Sequence, residues 1–219
     1  MKKGILISIL IICFIIGGFF LTRAMNQADD IALSDNFTSG FIDENIETDE
    51  GFHYFESGNG KFSMWFPGGY YLSADPAQFE SKETYEMLNL YQEATGDSTL
   101  DRHIQIEYFG EMDQEKADLT LSRILENFSY KNSYEVKDSN DLTISYGEVH
   151  VELNGKDTVL KEPKTNPANR YFALIETKNS KHVVAVTYML FCKESSSCEI
   201  NSKEEQNFFR QLSESIEYK

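Results

Sequence analysis

The segment EVHVE, residues 148–152, alternates polar and apolar side chains. In a β-strand this spacing sends Glu148, His150 and Glu152 to one face, about 7 Å apart along the strand. Imidazole and carboxylate groups bind zinc or manganese, and they also form acid–base pairs. A metal site would need a further ligand from a neighbouring strand, for which the candidates are His103 and Glu107. The favoured interpretation is a solvated strand face of an acidic protein, and the metal site is the alternative.

The segment GKDTVLKEPKTNPANR, residues 155–170, is the one stretch in which basic residues outnumber acidic ones. Its second half contains two prolines and two asparagines and is predicted to be a long loop. Long loops on rigid sheets often carry recognition, and these cations would suit an acidic protein surface or an anionic wall polymer. A plain solvated connection is the favoured alternative. The cations are Lys156, Lys161, Lys164 and Arg170.

Trp65 is the only tryptophan, and it lies in the aromatic stretch GNGKFSMWFPGGYYL, residues 58–72. Strand alternation places Phe62, Met64 and Phe66 on one face and Trp65 on the other. Trp65 then either packs beneath a covering helix, which is the favoured interpretation, or stands exposed as a binding anchor.

The common catalytic signatures are missing from the sequence. It contains no Gly-x-Ser-x-Gly elbow, phosphate-binding loop, dinucleotide fingerprint or His-Glu-x-x-His helix, and its four histidines are scattered singly. We therefore predict a non-catalytic protein without a cofactor. The net charge of −16 makes nucleic acid a poor partner, because phosphate binding needs a basic stripe. The same charge argues against adhesion of the globular part to anionic lipid.

The N-terminal segment is typical of a membrane anchor. Lys2 and Lys3 precede an uncharged, apolar run over residues 4–21. As a helix this run would be about 27 Å long, close to the hydrocarbon thickness of a bilayer, and a cleaved signal is the alternative. The basic flank predicts a cytoplasmic N-terminus and an exported remainder. We assign residues 1–23 to the anchor, the acidic residues 24–50 to a linker or stalk, and residues 51–219 to one extracytoplasmic domain.

The three cysteines divide between the anchor and the exported part. Cys13 follows Ile12, where a lipid-modification site would want a small residue, so we predict a thiol inside the membrane helix. Cys192 and Cys198 are close in sequence, and in an oxidising compartment they are predicted to form a local disulfide worth about 2 kcal/mol. A metal site or a redox pair would need more ligands or the Cys-x-x-Cys spacing.

Hydrophobic periodicity predicts three helices in the exported part. They cover residues 81–94, residues 114–128 and a last segment that begins at Ser202. Ser202 and Glu205 have the spacing of a capping box.

The remaining periodic segments are strands. Residues 51–57 and 61–66 are predicted to form a hairpin, and Asn154-Gly155 predicts another. Residues 183–192 are apolar on both faces, as in a central strand, and a change of parity across Gly147 predicts a β-bulge. These elements predict an α+β fold: a mainly antiparallel twisted sheet with helices on both faces.

The chain resembles the PsbP-like family over residues 51–219. The resemblance rests on a long middle helix, a run of antiparallel strands, a closing FFRQLSESI helix and a phenylalanine-led strand that runs into proline and glycine: Phe62, Met64, Phe66, Pro67, Gly68, then Tyr70. It implies an α/β/α sandwich that acts as an extracytoplasmic accessory factor and binds a larger complex without catalysis. Tyr70 stands where the family's pattern has tryptophan, and no binding residue of the family is transferred.

These features together predict a membrane-anchored, extracytoplasmic binding or accessory domain of a bacterial envelope, with a protein partner. The alternative is a metal-dependent envelope enzyme or metal-binding protein that uses Glu148, His150 and Glu152.

Overall fold

The computed structural model describes residues 30–95, 99–128, 130, 134–139, 141–154, 157–161, 166–178, 181–193 and 198–219. The helices in this part are α1 (Ile31–Ser34), α2 (Gln114–Asn127) and α3 (Ser202–Glu214), with a 3-10 turn at Thr38–Phe41. The strands are β1 (Ile42–Asp43), β2 (Phe52–Glu56), β3 (Phe62–Pro67), β4 (Tyr71–Leu72), β5 (Glu80–Lys82), β6 (Tyr85–Gln92), β7 (Leu100–Phe109), β8 (Glu135–Asp138), β9 (Leu142–Asn154), β10 (Asp157–Lys161), β11 (Arg170–Thr177), β12 (Val183–Cys192) and β13 (Glu217–Tyr218).

The strands form two antiparallel sheets. The large sheet has the order β10-β9-β11-β12-β7-β6-β4, with β5 beside β6 and β8 beside β9. The small sheet has the order β1-β2-β3-β13. The fold is therefore α+β with antiparallel sheets, as predicted.

Strand β12 lies in the middle of the large sheet between β11 and β7. Its apolar residues are buried on both faces, which confirms the prediction of a central strand for residues 183–192. One face of the sheet packs on α2 through residues such as Ile124, and the other packs on α3 and the small sheet through residues such as Leu212. Helices thus cover both faces, and the helix predicted over residues 114–128 is confirmed.

The hairpin between β2 and β3 also forms as predicted. The carboxylate of Glu86, on β6, accepts the backbone N–H groups of Gly58 and Asn59 at 2.7 and 2.8 Å. Gly60 adopts a φ of 68°, which a glycine accepts without strain. The large sheet therefore holds the turn of the small sheet through one buried side chain.

The structure corrects the bulge predicted at Gly147. Strand β9 pairs with β11 in one unbroken register through Gly147 opposite Phe172. The parity changes because Ile144 packs in the core beside α3, whereas Val149 packs in the core beside α2. Gly147 instead makes room for a ring, because a Cβ there would lie 2.1 Å from Cε1 of Phe172.

The helix predicted over residues 81–94 is wrong, because this segment forms β5 and β6. The residues of β6 that face the core include Leu88, Leu90 and the fully buried Glu86. A charged residue at a core position hides the strand alternation in the sequence. The spacing of Tyr85, Leu88 and Tyr91 then resembles a helical stripe.

The linker prediction also fails over residues 30–50, which pack on the domain. Ala32 and Thr38 are fully buried, and the ring of Phe41 stacks on Phe55 with 5.6 Å between centroids. The N–H of Ala32 donates to the carbonyl of Gly68 at 3.0 Å. The few apolar residues of this acidic stretch are therefore enough to fix it to β2–β4.

The last helix begins at Ser202 as predicted, but the capping box does not form. Asn201 is the N-cap residue, and Glu205 is buried in contact with Arg102. Cys192 and Cys198 form the predicted disulfide. Among the described residues, no helix is long and apolar enough to cross a bilayer, and the predicted anchor, residues 4–21, lies outside them.

Candidate functional site

The face of β9 with Glu148, His150 and Glu152 is held by contacts within the protein. Nδ1 of His150 lies 2.6 Å from the carbonyl oxygen of Pro167, and Nε2 lies 3.6 Å from Oε1 of Glu152. Gln206 of α3 donates to Glu148 at 3.0 Å, and burial raises the pKa of Glu148. The His150 ring is therefore oriented by a backbone carbonyl.

The further ligand that a metal site needs is not on a neighbouring strand. His103 and Glu107 lie on β7, which β11 and β12 separate from β9. Within the residues that the structure describes, no group of three or more histidine, cysteine, aspartate or glutamate side chains is arranged to hold a metal ion.

Trp65 lies at the C-terminal end of α3 and is half-buried. Its backbone N–H donates to Oγ of Ser215 at 2.9 Å, and its ring lies 6.2 Å from that of Phe52. A hollow of about 490 Å³ beside it is lined by Trp65, Asp49, Gln211, Glu214, Ser215 and Glu217. Of its acidic groups, Asp49 accepts from Gln211 and Glu214 pairs with Lys137.

The basic segment 155–170 is only partly described. Lys156 and Lys164 lie outside the described residues, and so does the side chain of Lys161, whose backbone in β10 pairs with His150. Arg170 is the first residue of β11. It is therefore the one cation of this segment that the structure places in a site.

That site is a groove on the large sheet, on the face that α2 covers only in part. Its floor is one row of directly paired residues that crosses five adjacent strands: Tyr71, Tyr91, His103, Met189 and Arg170. At about 4.8 Å per strand the row is roughly 19 Å long. All five side chains are partly exposed, whereas residues under α2 on the same face, such as Ala185, are buried.

A pocket of about 540 Å³ with a mainly apolar lining lies against the part of this groove formed by Tyr71, Tyr91 and His103, and beside Phe191. Met189 and Arg170 do not line the pocket and continue the row of paired residues beyond it. The rings of Tyr91 and His103 stack with 4.4 Å between centroids, and Tyr71 lies 5.9 Å from Tyr91. Nε2 of His103 lies 2.7 Å from Oδ1 of Asn89. Burial, and then the charge of Arg170, lowers the pKa of His103 to about 4, so the imidazole is neutral at pH 7.

Arg170 ends the row and lies beside Phe191, which lines the pocket. The guanidinium carbon of Arg170 lies 4.4 Å from the centroid of the Phe191 ring, a cation–π contact. Nη1 donates to the carbonyls of Asn169 and Leu190 at 2.7 and 2.8 Å. Burial lowers the pKa of Arg170 to about 10, so the group remains charged at pH 7. No carboxylate in the described part of the chain pairs with it.

Arg102 and Lys193, the cations that line the pocket, have carboxylate partners. Arg102 contacts Glu205 of α3 at 2.7 Å and donates to Gln92 at 3.0 Å. Lys193 lies 3.6 Å from Asp101. Arg170 is therefore the cation that a ligand can engage without displacing an ion pair.

Sequence reasoning named Arg170 in the basic segment and His103 as a candidate metal ligand, but it missed the other three residues of the row. Tyr71, Tyr91 and Met189 are unremarkable strand residues in sequence, and they come together only through the pairing of the strands. The sequence carries only a weak signal for these three residues, namely that each lies on the same face of its strand as the residue with which it pairs.

The sequence comparisons identify a family and no curated relative. The family model YvcA_Mog1p, described as "Putative lipoprotein YvcA", matches residues 28–217. No curated protein matches the chain. Among solved structures, the chain is similar to the 1.9 Å crystal structure of the Saccharomyces cerevisiae Ran-binding protein Mog1p, with 12% identity and a TM-score of 0.45. That match covers 76% of this chain and 94% of Mog1p.

Proposed function

The chain belongs to the family described as "Putative lipoprotein YvcA", and from this premise we propose that it is a non-catalytic binding domain tethered to the outer side of a cell membrane. The resemblance to PsbP-like domains is retained at the level of the fold. The observation that carries the proposal is the partly exposed row of Tyr71, Tyr91, His103, Met189 and Arg170, with a pocket against its first three residues and Arg170 beside the pocket residue Phe191.

Two features of the described residues support binding rather than catalysis. His103 is neutral, and its Nε2 already contacts Asn89, while His150 contacts the carbonyl of Pro167. Neither imidazole is held beside a nucleophile within hydrogen-bond reach, as acid–base catalysis requires. Neither histidine is therefore placed to act as a general base.

The proposal is tested by photo-crosslinking in intact cells of the full chain. A benzoylphenylalanine in place of Phe191, which is 42% exposed at the groove, should give one reproducible crosslink to an envelope component. The matched control is the same substitution at Leu119, which is 62% exposed on α2. A protein partner, as the sequence favours, would appear as a crosslinked band. Equal crosslinking from both positions, or crosslinks to cytoplasmic proteins, would refute the proposal.

The mode of attachment is a separate part of the proposal. A lipoprotein carries its lipid on a cysteine, and Cys13 is the only cysteine of the N-terminal segment. The sequence instead favours a membrane helix, because Ile12 precedes Cys13. Metabolic labelling with a radioactive fatty acid separates the two modes. Label that disappears in Cys13→Ser supports the lipid anchor, and an unlabelled chain in the membrane fraction supports the helix.

A further inference from the structure

We propose that the groove of Tyr71, Tyr91, His103, Met189 and Arg170 binds an anionic lipid of the membrane that holds the chain. In this proposal Arg170 contacts the phosphodiester of the headgroup. The glycerol and the first acyl carbons lie along Phe191, Met189 and the aromatic rings. The inference rests on the proposed function, because it requires the domain to be tethered at a membrane.

The donors of Arg170, beside the pocket, suit an anion. Arg170 donates to two backbone carbonyls through Nη1 alone, and within the described chain its Nε and Nη2 groups have no hydrogen-bond partner. A guanidinium presents five N–H donors in a fixed fork that matches phosphate oxygens. Arg102 and Lys193 already contact carboxylates, so the site adds one available positive charge to an acidic domain.

The lining of the pocket suits the apolar part of an amphiphile. The Tyr91 and His103 rings are parallel within 4° and stack on each other through one face each. Arg170 lies over the ring of Phe191, which lines the pocket. The apolar lining therefore suits hydrocarbon, with Arg170 beside it for a charged headgroup.

The position of the groove brings it to the anchored end of the domain. The N–H of Ala32 donates to the carbonyl of Gly68, and a Cβ on the next residue, Gly69, would lie 2.6 Å from Nε2 of Gln92. Gln92 lines the groove. Residues 22–29 join this end to the apolar run, and eight residues span at most about 29 Å. The Tyr71 end of the row is thus within about 29 Å of the apolar run, and Arg170 lies at the other end of the row, about 19 Å away.

The net charge of −16 argues against broad adhesion of the domain to an anionic surface. A tethered domain does not depend on such adhesion, because the tether keeps the groove at a high effective concentration of lipid. A single specific contact through Arg170 is then sufficient. The proposal therefore concerns one site and not the surface as a whole.

The test uses the full chain in uncharged detergent micelles, with dihexanoyl phosphatidylglycerol as the anionic probe and dihexanoyl phosphatidylcholine as the zwitterionic one. Native mass spectrometry measures the bound lipid. We expect phosphatidylglycerol to bind and phosphatidylcholine not to bind. Arg170→Gln should weaken binding about tenfold, because it removes a charge-assisted contact.

The matched control is Arg123→Gln. Arg123 lies over the Phe109 ring at 5.9 Å on the same sheet face, but it pairs with Glu107 at 3.4 Å. This variant should bind phosphatidylglycerol as the wild type does. If Arg170→Gln does not fold, Phe191→Ala serves instead, because Phe191 is 42% exposed and its loss shortens the apolar wall.

Unchanged binding in Arg170→Gln and Phe191→Ala, or equal binding of phosphatidylcholine, would overturn the proposal. A crosslink in cells from position 191 to a protein and not to lipid would overturn it as well, while it would leave the tethered binding domain intact. Crosslinks to cytoplasmic proteins would instead refute the proposed function. The two failures are therefore distinguishable.

Discussion

Glu86 offers the sharpest test of how the two sheets are joined. Its carboxylate is fully buried and accepts the N–H groups of Gly58 and Asn59 and the hydroxyl of Ser81. Glu86→Ala leaves the two backbone donors without an acceptor. Each unsatisfied buried donor costs about 1–3 kcal/mol, so we expect a loss of about 4 kcal/mol in the free energy of unfolding. For a chain of this size, the loss corresponds to roughly 8–16 °C in Tm.

The loss is measured by urea unfolding of the full chain in uncharged detergent micelles. Trp65 fluorescence is a suitable signal, because the only tryptophan lies on β3, which is one strand of this hairpin. Glu83→Ala removes an exposed carboxylate three residues away and should change stability by less than about 0.5 kcal/mol. A loss below about 1 kcal/mol in Glu86→Ala would show that the turn does not depend on this side chain.

The same carboxyl makes a prediction about pH. Burial raises the pKa of Glu86, against the lowering effect of its hydrogen bonds. Because the pKa in the folded state lies above that in the unfolded state, the folded protein binds the proton more tightly. The contribution of this group to stability is then greatest below the unfolded pKa and declines as pH rises through the folded pKa. The stability difference between wild type and Glu86→Gln should shrink over that interval, and a difference that grows would contradict the argument.

Three further substitutions test other contacts. Gly147→Ala places a Cβ against the ring of Phe172 and should destabilise the protein by about 1–3 kcal/mol, measured by urea unfolding; a second change to Phe172→Leu should restore part of the loss. Reduction of the Cys192–Cys198 disulfide should cost about 2 kcal/mol, seen as a lower Tm with reductant that a Cys192→Ser, Cys198→Ser double variant does not show. Glu205→Ala should cost about 3–5 kcal/mol by thermal unfolding, because it leaves a partly buried guanidinium without its carboxylate.

Much of the fold follows from the sequence where one face of an element is buried. Strand β3, with Phe62 and Phe66 at alternate core positions, and helix α2, with Ile124 on its apolar stripe, have the burial that their periodicity predicts. Prediction from periodicity fails where a polar residue occupies a core position, as Glu86 does in β6. It also fails where one strand serves two cores, because the change of parity across Gly147 then imitates a bulge.

The candidate site was harder to predict than the fold. Each of five strands contributes one residue to the row, and strand register alone brings them together. Glu205 shows that local spacing can also predict a contact that does not form. Its spacing from Ser202 predicts a local cap, but the carboxylate contacts Arg102 on β7, which is distant in sequence. The spacing of residues within one element predicts the faces of that element, but it does not predict which strand will lie beside it.

The packing of residues 30–50 bears on the proposal that the domain is tethered at a membrane. A free linker of these residues would add about 70 Å of reach, and the groove would have no fixed relation to the bilayer. Instead Asp30 caps α1 through the N–H of Leu33, and its carboxylate lies 2.6 Å from Nε2 of His53 on β2. Ala32 is fully buried two residues later. The chain is therefore held to the domain from Asp30 onward, so a tether of the proposed kind would begin at the Gly68–Gly69 end of the domain.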